Sequence, residues 1–329
     1  MIHNTILKKI AAGIITVMMS GFLAACAQGP DAAGDDGKIR IVATIFPEYD
    51  WVMNVLGDNA ANAEVTLLLD KGVDLHSYQP TADDILKIST CDLFVYVGGE
   101  SDEWVEDSLR EAVNKDMTVI DLLDVLGNGV KEEEVVEGMQ AEEEEAGEEG
   151  PEYDEHVWLS LRNAAILTDR IAKALAEKDP ANADAYKANA ASYTEKLNAL
   201  DKEYDETVSK ADVKTLLFGD RFPFRYLTDD YGLSYYAAFA GCSAETDASF
   251  ETIMFLAGKV DELSLPAVMT IEGADHRIAE TIVENTASKD QKILTMDSMQ
   301  SITAKDVEEG KTYLSVMEAN LSVLAEALK

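Results

Sequence analysis

The sequence predicts an α/β protein of two lobes, each a mostly parallel sheet with helices on both faces, joined by one long rigid α-helix. Three observations predict it. Short apolar, β-branched runs alternate with amphipathic stretches at the rhythm of strand–helix units. The alternation breaks once and then restarts. Between the two series lies a long segment rich in Ala, Lys, Glu and Leu. A chain of 329 residues also exceeds what a single core usually takes, so two domains are expected.

In the first half, KIRIVATIF (38–46) reads as a buried strand. EYDWVMNVLG (48–57) has helical apolar spacing and a glycine stop. AEVTLLL (63–69) is a second strand. TADDILKIS (81–89) opens with Thr-x-x-Asp, a capping-box entrance to a helix. DLFVYVGG (92–99) is a third strand, SDEWVEDSLREAV (101–113) a helix, and MTVIDLL (117–123) a fourth strand. The pattern then breaks at 131–155, which is dense in glutamate and lacks an apolar face, so a mobile, solvated loop is expected there. An amphipathic helix follows at 161–179. The next segment, 179–211, starts with Pro180 and would span about 40 Å as a helix, enough for a stiff connector.

The second half restarts with strands at 213–219, 233–239, 266–272 and 292–298, and helices at 250–263, 276–287 and 311–329. The expected organisation is an N-terminal lobe over 38–178, a linking helix over 179–211 and a C-terminal lobe over 212–329. The aromatic runs FPFRYL and YGLSYYAAF, and Trp51, Trp104 and Trp158, read as packing residues.

Residues 1–25 read as an export signal. Lys8 and Lys9 precede IAAGIITVMMSGFL, an apolar run too short to favour a permanent membrane span. LAAC then resembles a bacterial lipobox, which implies cleavage before Cys26 and lipidation of its sulfur. Residues 26–37, rich in Gly, Asp and Ala, read as a flexible tether. The localisation expected from this is the extracytoplasmic face of the cell membrane, with the membrane touched through the lipid anchor only. The remaining cysteines, Cys91 and Cys242, are far apart and read as unpaired.

A formal charge of −36 argues against nucleic acid or an anionic membrane surface as partner and suits attraction of cations. There is no G-x-x-x-x-G-K-[ST], no G-x-S-x-G and no H-E-x-x-H, so no ATPase, hydrolase or metalloprotease signature is present. Beyond His3 in the signal, the histidines are His76, His156 and His276. A lone histidine is more often a surface or core residue than a ligand. Two of them, His76 after a strand and His156 before a helix, raise the metal reading, because open α/β sheets bind ligands beyond the carboxyl ends of their strands.

These segments carry a resemblance. GVDLHSYQPTADDILKISTCDLFVYVGGESDEWVE resembles the first metal-ligand segment of the zinc- and manganese-specific solute-binding lipoproteins of ABC transporters. DEHVWLSLRNA resembles the second, and ILTMDSMQ the segment that supplies an aspartate near the C-terminus. The resemblance runs from about Lys38 to Lys329. It implies two α/β lobes bridged by a long helix, with one divalent ion in the inter-lobe cleft. Carried over position by position, it implies His76, His156 and Asp297 as ligands. At the remaining ligand position this chain has Arg221, in FGDRFPFRYLTDDYGL. Arginine only donates hydrogen bonds and cannot bind a cation. Asp220 next to it is then the candidate third ligand, with Arg221 paired to a carboxylate, or the site has three protein ligands and a water. Glu272 is a further candidate for direct or supporting contact, and no family ligand maps to His276.

The function this implies is a receptor that captures a divalent transition metal outside the membrane and hands it to an ABC permease, itself acting as a monomer and not as an enzyme. Imidazoles with carboxylates suit Zn2+ and also Mn2+. Zinc is favoured because the charged loop before His156 occupies the place of the family's zinc-associated loop, although this one lacks histidine. A manganese or iron receptor of the same family is the alternative. An exported metallohydrolase would need Glu272 or Asp220 as base, and a metal-dependent adhesin would follow the association of some relatives with cell adhesion.

Overall fold

A computed structural model of the protein describes residues 37–140, 152–243, 247–273 and 275–329. The export signal, Cys26 and all but the last residue of the tether lie outside the described residues, as does the middle of the acidic segment. Residues Ile39–Lys329 make one compact unit.

The β-branched runs form two sheets of four parallel strands. The first has the order β2-β1-β3-β4, from β1 (Ile39–Ala43), β2 (Ala63–Leu67), β3 (Leu93–Tyr96) and β4 (Thr118–Asp121). The second repeats that winding as β6-β5-β7-β8, from β5 (Thr215–Phe222), β6 (Ser234–Ala240), β7 (Ala267–Ile271) and β8 (Lys292–Met296). Parallel strands are covered on both faces and so are apolar along their length: Val42, Phe94 and Val95 in one sheet and Leu217, Phe218, Val268 and Met269 in the other are buried. The ladder from β5 to β6 slips between Phe218 and Arg221. Such a bulge turns the residues it contains out of register and aims them anew. Here they are Gly219 and Asp220. Gly219 lies against α9 (Arg277–Glu284), where a Cβ would meet the Ala279 Cα at 2.6 Å.

The helices of the first half are α1 (Phe46–Leu56), α2 (Ala82–Thr90), α3 (Trp104–Arg110), α4 (Leu122–Leu126) and α5 (Leu161–Lys178). The capping box expected at 81–84 is present: the Thr81 hydroxyl accepts from the Asp84 N–H (3.3 Å), and Asp84 accepts from the Thr81 N–H (2.9 Å). The linking helix is α6 (Ala183–Lys210), of 28 residues, preceded by a turn of 3-10 helix at Pro180–Asn182. At 1.5 Å per residue it is about 42 Å long. The second half adds α7 (Arg225–Tyr231), α8 (Phe250–Leu263), α10 (Ala304–Glu308) and α11 (Tyr313–Ala327).

The α6 helix does more than connect. Tyr186, Ala190, Tyr193, Leu197, Leu200, Tyr204 and Val208 form its buried stripe. In its first half Tyr193 donates to Asp50 Oδ2 in α1 (3.1 Å), and in its second half Tyr204 donates to the Met317 carbonyl in α11 (2.6 Å). One apolar cluster runs from Ile41 and Phe94 in the first sheet through this stripe to Phe218, Met269 and Met296 in the second. A smaller cluster, with Leu217, Phe239, Val260 and Ile282, fills the far face of the second sheet.

Candidate metal centre

The strands of each sheet run parallel, so the loops at their carboxyl ends gather at one edge of it, and contacts such as Arg221 to Asp74 bring the two edges together at one cleft. His76 sits in a 3-10 turn, Leu75–Ser77, beyond β2. Asp74 caps that turn by accepting the His76 N–H (3.0 Å). The His76 Nδ1 faces Ser101 Oγ (2.8 Å) and Glu155 Oε2 (3.4 Å). His156 precedes a second 3-10 turn, Val157–Leu159, and is fully buried. Asp154 Oδ1 accepts from both the His156 backbone N–H (2.9 Å) and Nδ1 (3.0 Å).

These partners assign the tautomers. Asp154 beside Nδ1 of His156, and Ser101 Oγ with Glu155 Oε2 beside Nδ1 of His76, favour the tautomers that keep the proton on Nδ1. Each Nε2 is then left with a bare lone pair. The two Nε2 atoms face each other at 3.1 Å. Two lone pairs at that distance repel unless a proton or a cation lies between them. Two nitrogens bound to one tetrahedral zinc at 2.0–2.1 Å would be about 3.3 Å apart.

The carboxylate neighbours are buried too. Asp154 and Glu155 are each 2% exposed. Burial alone would raise Glu155, but hydrogen bonds from His76 and Ser101 outweigh it and hold the carboxyl below its ordinary value. Gly99 makes room for it, since a Cβ there would lie 2.3 Å from Glu155 Oε1. The acidic segment was expected to be solvated throughout. Its base instead folds: Glu132 bridges Tyr153, the Glu133 N–H donates to the Glu152 carbonyl (2.8 Å), and the Asp154 N–H donates to the Lys131 carbonyl (2.9 Å). Its last two carboxylates are buried because they have imidazoles to serve. In the sequence both read only as part of a charge run.

The third group beside the histidines comes from the loop after β6. The ligand atoms of His76, His156 and Cys242 all lie within 4.8 Å of one another, the one such group among the described residues. Cys242 and Cys91 are free thiols. Burial, then Glu133, Asp154 and Glu155, push the Cys242 thiol well above its usual value. A cavity of about 220 Å³ opens beside His76 and Cys242 and is walled by Glu100, Glu133, Glu152 and Glu155. Its sign favours cations.

The two aspartates expected as ligands hold contacts of their own. Asp220 accepts the Arg221 N–H (2.9 Å) and the Ile271 N–H (3.2 Å), and burial raises its pKa. Asp297 accepts the Met299 N–H (2.8 Å) and lies 3.4 Å from Lys311 Nζ. Neither joins the His76–His156–Cys242 group. Glu272 accepts from the Ser298 N–H (2.6 Å), the Ser298 hydroxyl (2.8 Å) and the Gln300 N–H (3.1 Å), which makes it a clamp on the Asp297 loop. Burial, then Asp297, raise its pKa. Arg221 does pair with a carboxylate: Nη2 lies 2.6 Å from Asp74 Oδ2, across the cleft. Arg221, Asp220, Glu272 and His276 line a second, larger cavity of about 650 Å³. His276 holds a left-handed backbone (φ 59°) ahead of α9.

The family described as "Zinc-uptake complex component A periplasmic" (ZnuA) matches residues 41–327. The zinc-binding lipoprotein AdcA of Streptococcus pneumoniae serotype 4 is 34% identical over 97% of this chain and 61% of its own length. The chain thus spans about three fifths of that relative. The metal ABC transporter substrate-binding lipoprotein FimA of Streptococcus parasanguinis is 30% identical over 98% of this chain and 99% of its own. Among solved structures, the Zn(II)-bound ZnuA-like domain of Streptococcus pneumoniae AdcA superposes with a TM-score of 0.69 at 30% identity. It covers 89% of this chain and 99% of that domain. A match over nearly all of Ile39–Lys329, by sequence and by fold, places the chain in the ZnuA family of zinc-uptake components.

Proposed function

We propose that the protein is the extracytoplasmic receptor of an ABC importer, capturing a divalent transition metal, zinc foremost, and delivering it to a permease on another chain. The observation that carries this reading is the pair of Nε2 lone pairs 3.1 Å apart, each imidazole steadied by a buried carboxylate. Carboxylates that hold the far nitrogen of a ligating histidine fix its orientation and raise its basicity. The names of the relatives support zinc as the cargo. Manganese is the second reading, favoured by the carboxylates around the cavity.

In this reading His76 and His156 are the imidazole ligands. Asp297 and Asp220, at or beside the family's ligand positions, reach the ion only by giving up the contacts that now hold them. The protein binds and releases, and is not an enzyme. It works as a monomer held at the cell membrane by lipid on Cys26; among the described residues no helix is long and apolar enough to cross a membrane.

The test is thermal melting of the purified metal-free protein with zinc or manganese added separately. A ligand at 100 times its Kd stabilises by about 2.7 kcal/mol. Zinc should raise the Tm of the wild type far more than manganese does, and His76→Ala and His156→Ala should abolish the rise while still folding. Equal metal-induced shifts in the wild type and both variants would refute the site.

A further inference from the structure

We infer that the Cys242 thiolate is the third protein ligand, so that the ion bonds His76 Nε2, His156 Nε2 and Cys242 Sγ. This rests on the proposed receptor reading and names the ligand that takes up the place vacated at Arg221.

The geometry is built from three distant segments. Their ligand atoms lie within 4.8 Å of one another. In a tetrahedral zinc site, a sulfur at 2.3 Å and a nitrogen at 2.0–2.1 Å from the ion are about 3.6 Å apart. Rotation of the cysteine side chain and a small loop shift close the difference.

Two devices hold Cys242 there. Glu133 Oε1 accepts its backbone N–H (3.1 Å), tying the β6 loop to the base of the acidic segment. Arg221 braces the other side. One guanidinium nitrogen lies 2.6 Å from Asp74 Oδ2, on the turn that carries His76, and another donates to the Ser243 carbonyl (3.4 Å), next to Cys242. The arginine that cannot bind a cation therefore spans the loops of two groups that can. Gly241 completes the fit. A Cβ there would come within 3.0 Å of His156 Cε1 and 2.9 Å of the Phe222 carbonyl, so only glycine lets the chain pass the imidazole and present the next residue to it. The other described thiol, Cys91, is buried against Met117 Sδ (3.3 Å) and plays no part.

The chemistry follows. As the metal–sulfur bond forms, the thiol proton leaves to solvent, and the thiolate cancels one of the ion's two charges. Two imidazoles and a thiolate suit zinc and disfavour manganese, which prefers oxygen. The cavity of about 220 Å³ walled by glutamates opens beside His76 and Cys242 and would draw the cation toward them.

The experiment loads the purified full-length protein with Co2+ as a spectroscopic probe and measures zinc and manganese affinity by competition. Thiolate bound to cobalt gives an intense near-ultraviolet charge-transfer band that imidazole and carboxylate do not. The band should appear in the wild type, persist in Cys91→Ala and Cys26→Ala, and vanish in Cys242→Ser and Cys242→Ala. Both Cys242 variants should lose at least tenfold in zinc affinity and less than threefold in manganese affinity, with the metal-free Tm giving the fold control. Tight cobalt and zinc binding without the band, or zinc affinity within twofold of wild type in Cys242→Ser, would overturn the thiolate ligand and leave the receptor reading standing. No binding of cobalt or zinc by the wild type would overturn both.

Discussion

Removing the Asp154 carboxylate separates orientation of a ligand from stability of the fold. Asp154 Oδ1 accepts from the His156 N–H and from its Nδ1 (2.9 and 3.0 Å). Its backbone is held independently, by the Lys131 carbonyl (2.9 Å) and the Tyr226 hydroxyl (2.8 Å). Asp154→Ala therefore keeps the loop and deletes the acceptor. Two buried donors are left without it, each worth about 1–3 kcal/mol, so the metal-free protein should melt lower. The imidazole also loses the partner that fixes its tautomer, which typically costs 10–100-fold in metal affinity, or about 1.4–2.7 kcal/mol. With zinc at 1,000 times the wild-type Kd, the bound ion stabilises the wild type by about 4.1 kcal/mol. A thirtyfold loss leaves about 2 kcal/mol. At about 2 °C per kcal/mol, the zinc-induced shift should fall from about 8 °C to about 4 °C. Calorimetric melting with and without zinc, and titration against a competing chelator, read the two effects separately. A zinc affinity within twofold of wild type, even with a lowered metal-free Tm, would refute the reasoning and reduce Asp154 to a structural contact.

Two further predictions concern the first lobe. Glu48 Oε2 accepts from the Thr44 N–H (2.8 Å), the Thr44 hydroxyl (3.0 Å) and the Ile45 N–H (3.2 Å); burial, then Asp102, push its pKa from 4.5 to about 8. The folded state thus holds a proton that the unfolded chain releases, so this stability is full below pH 4.5 and is lost as pH rises to about 8. Glu48→Gln should remove a pH-dependent loss of stability of up to about 5 kcal/mol between those values, read as a flatter curve of Tm against pH; parallel curves for the two proteins would count against it. Gly99→Ala places a Cβ 2.3 Å from Glu155 Oε1 on a backbone with φ +83°. It should destabilise by about 2–4 kcal/mol and weaken zinc binding by releasing His76, and an unchanged Tm would show that the loop yields freely.

The alternation of strands and helices was legible because each element carries its own period. Phe250–Leu263 begins and ends where its apolar spacing does, and the Thr81 cap is written in four letters. Helix α7 was missed because Phe222, Phe224 and Tyr226, which run into it, are core residues whose aromatic density masks a helical period. In the site, His76 and His156 were readable from their places between elements. Asp154, Glu155 and Cys242 were not. What turns a glutamate in an acidic run into a buried partner is a residue far along the chain: His76 and Ser101 meet Glu155 only after folding. The slip between Phe218 and Arg221 is likewise invisible in letters, yet it decides that Arg221 meets Asp74.

The apolar cluster that passes from Ile41 through α6 to Met296 sets how an ion can leave. Swinging the two lobes apart would bring side chains that meet between them, such as Trp158 and Tyr313, into water, at about 1.5–3 kcal/mol each. Opening the frame is therefore costly with or without an ion, and a frame held by such a core needs little ordering on binding. The parts cheapest to move are small: the segment around Glu133, which accepts the Cys242 N–H, the turn that bears His76, and Arg221, which ties that turn to the loop after β6. A transporter docking on this protein would have to work on those parts one at a time, as one picks a lock rather than opens a jaw.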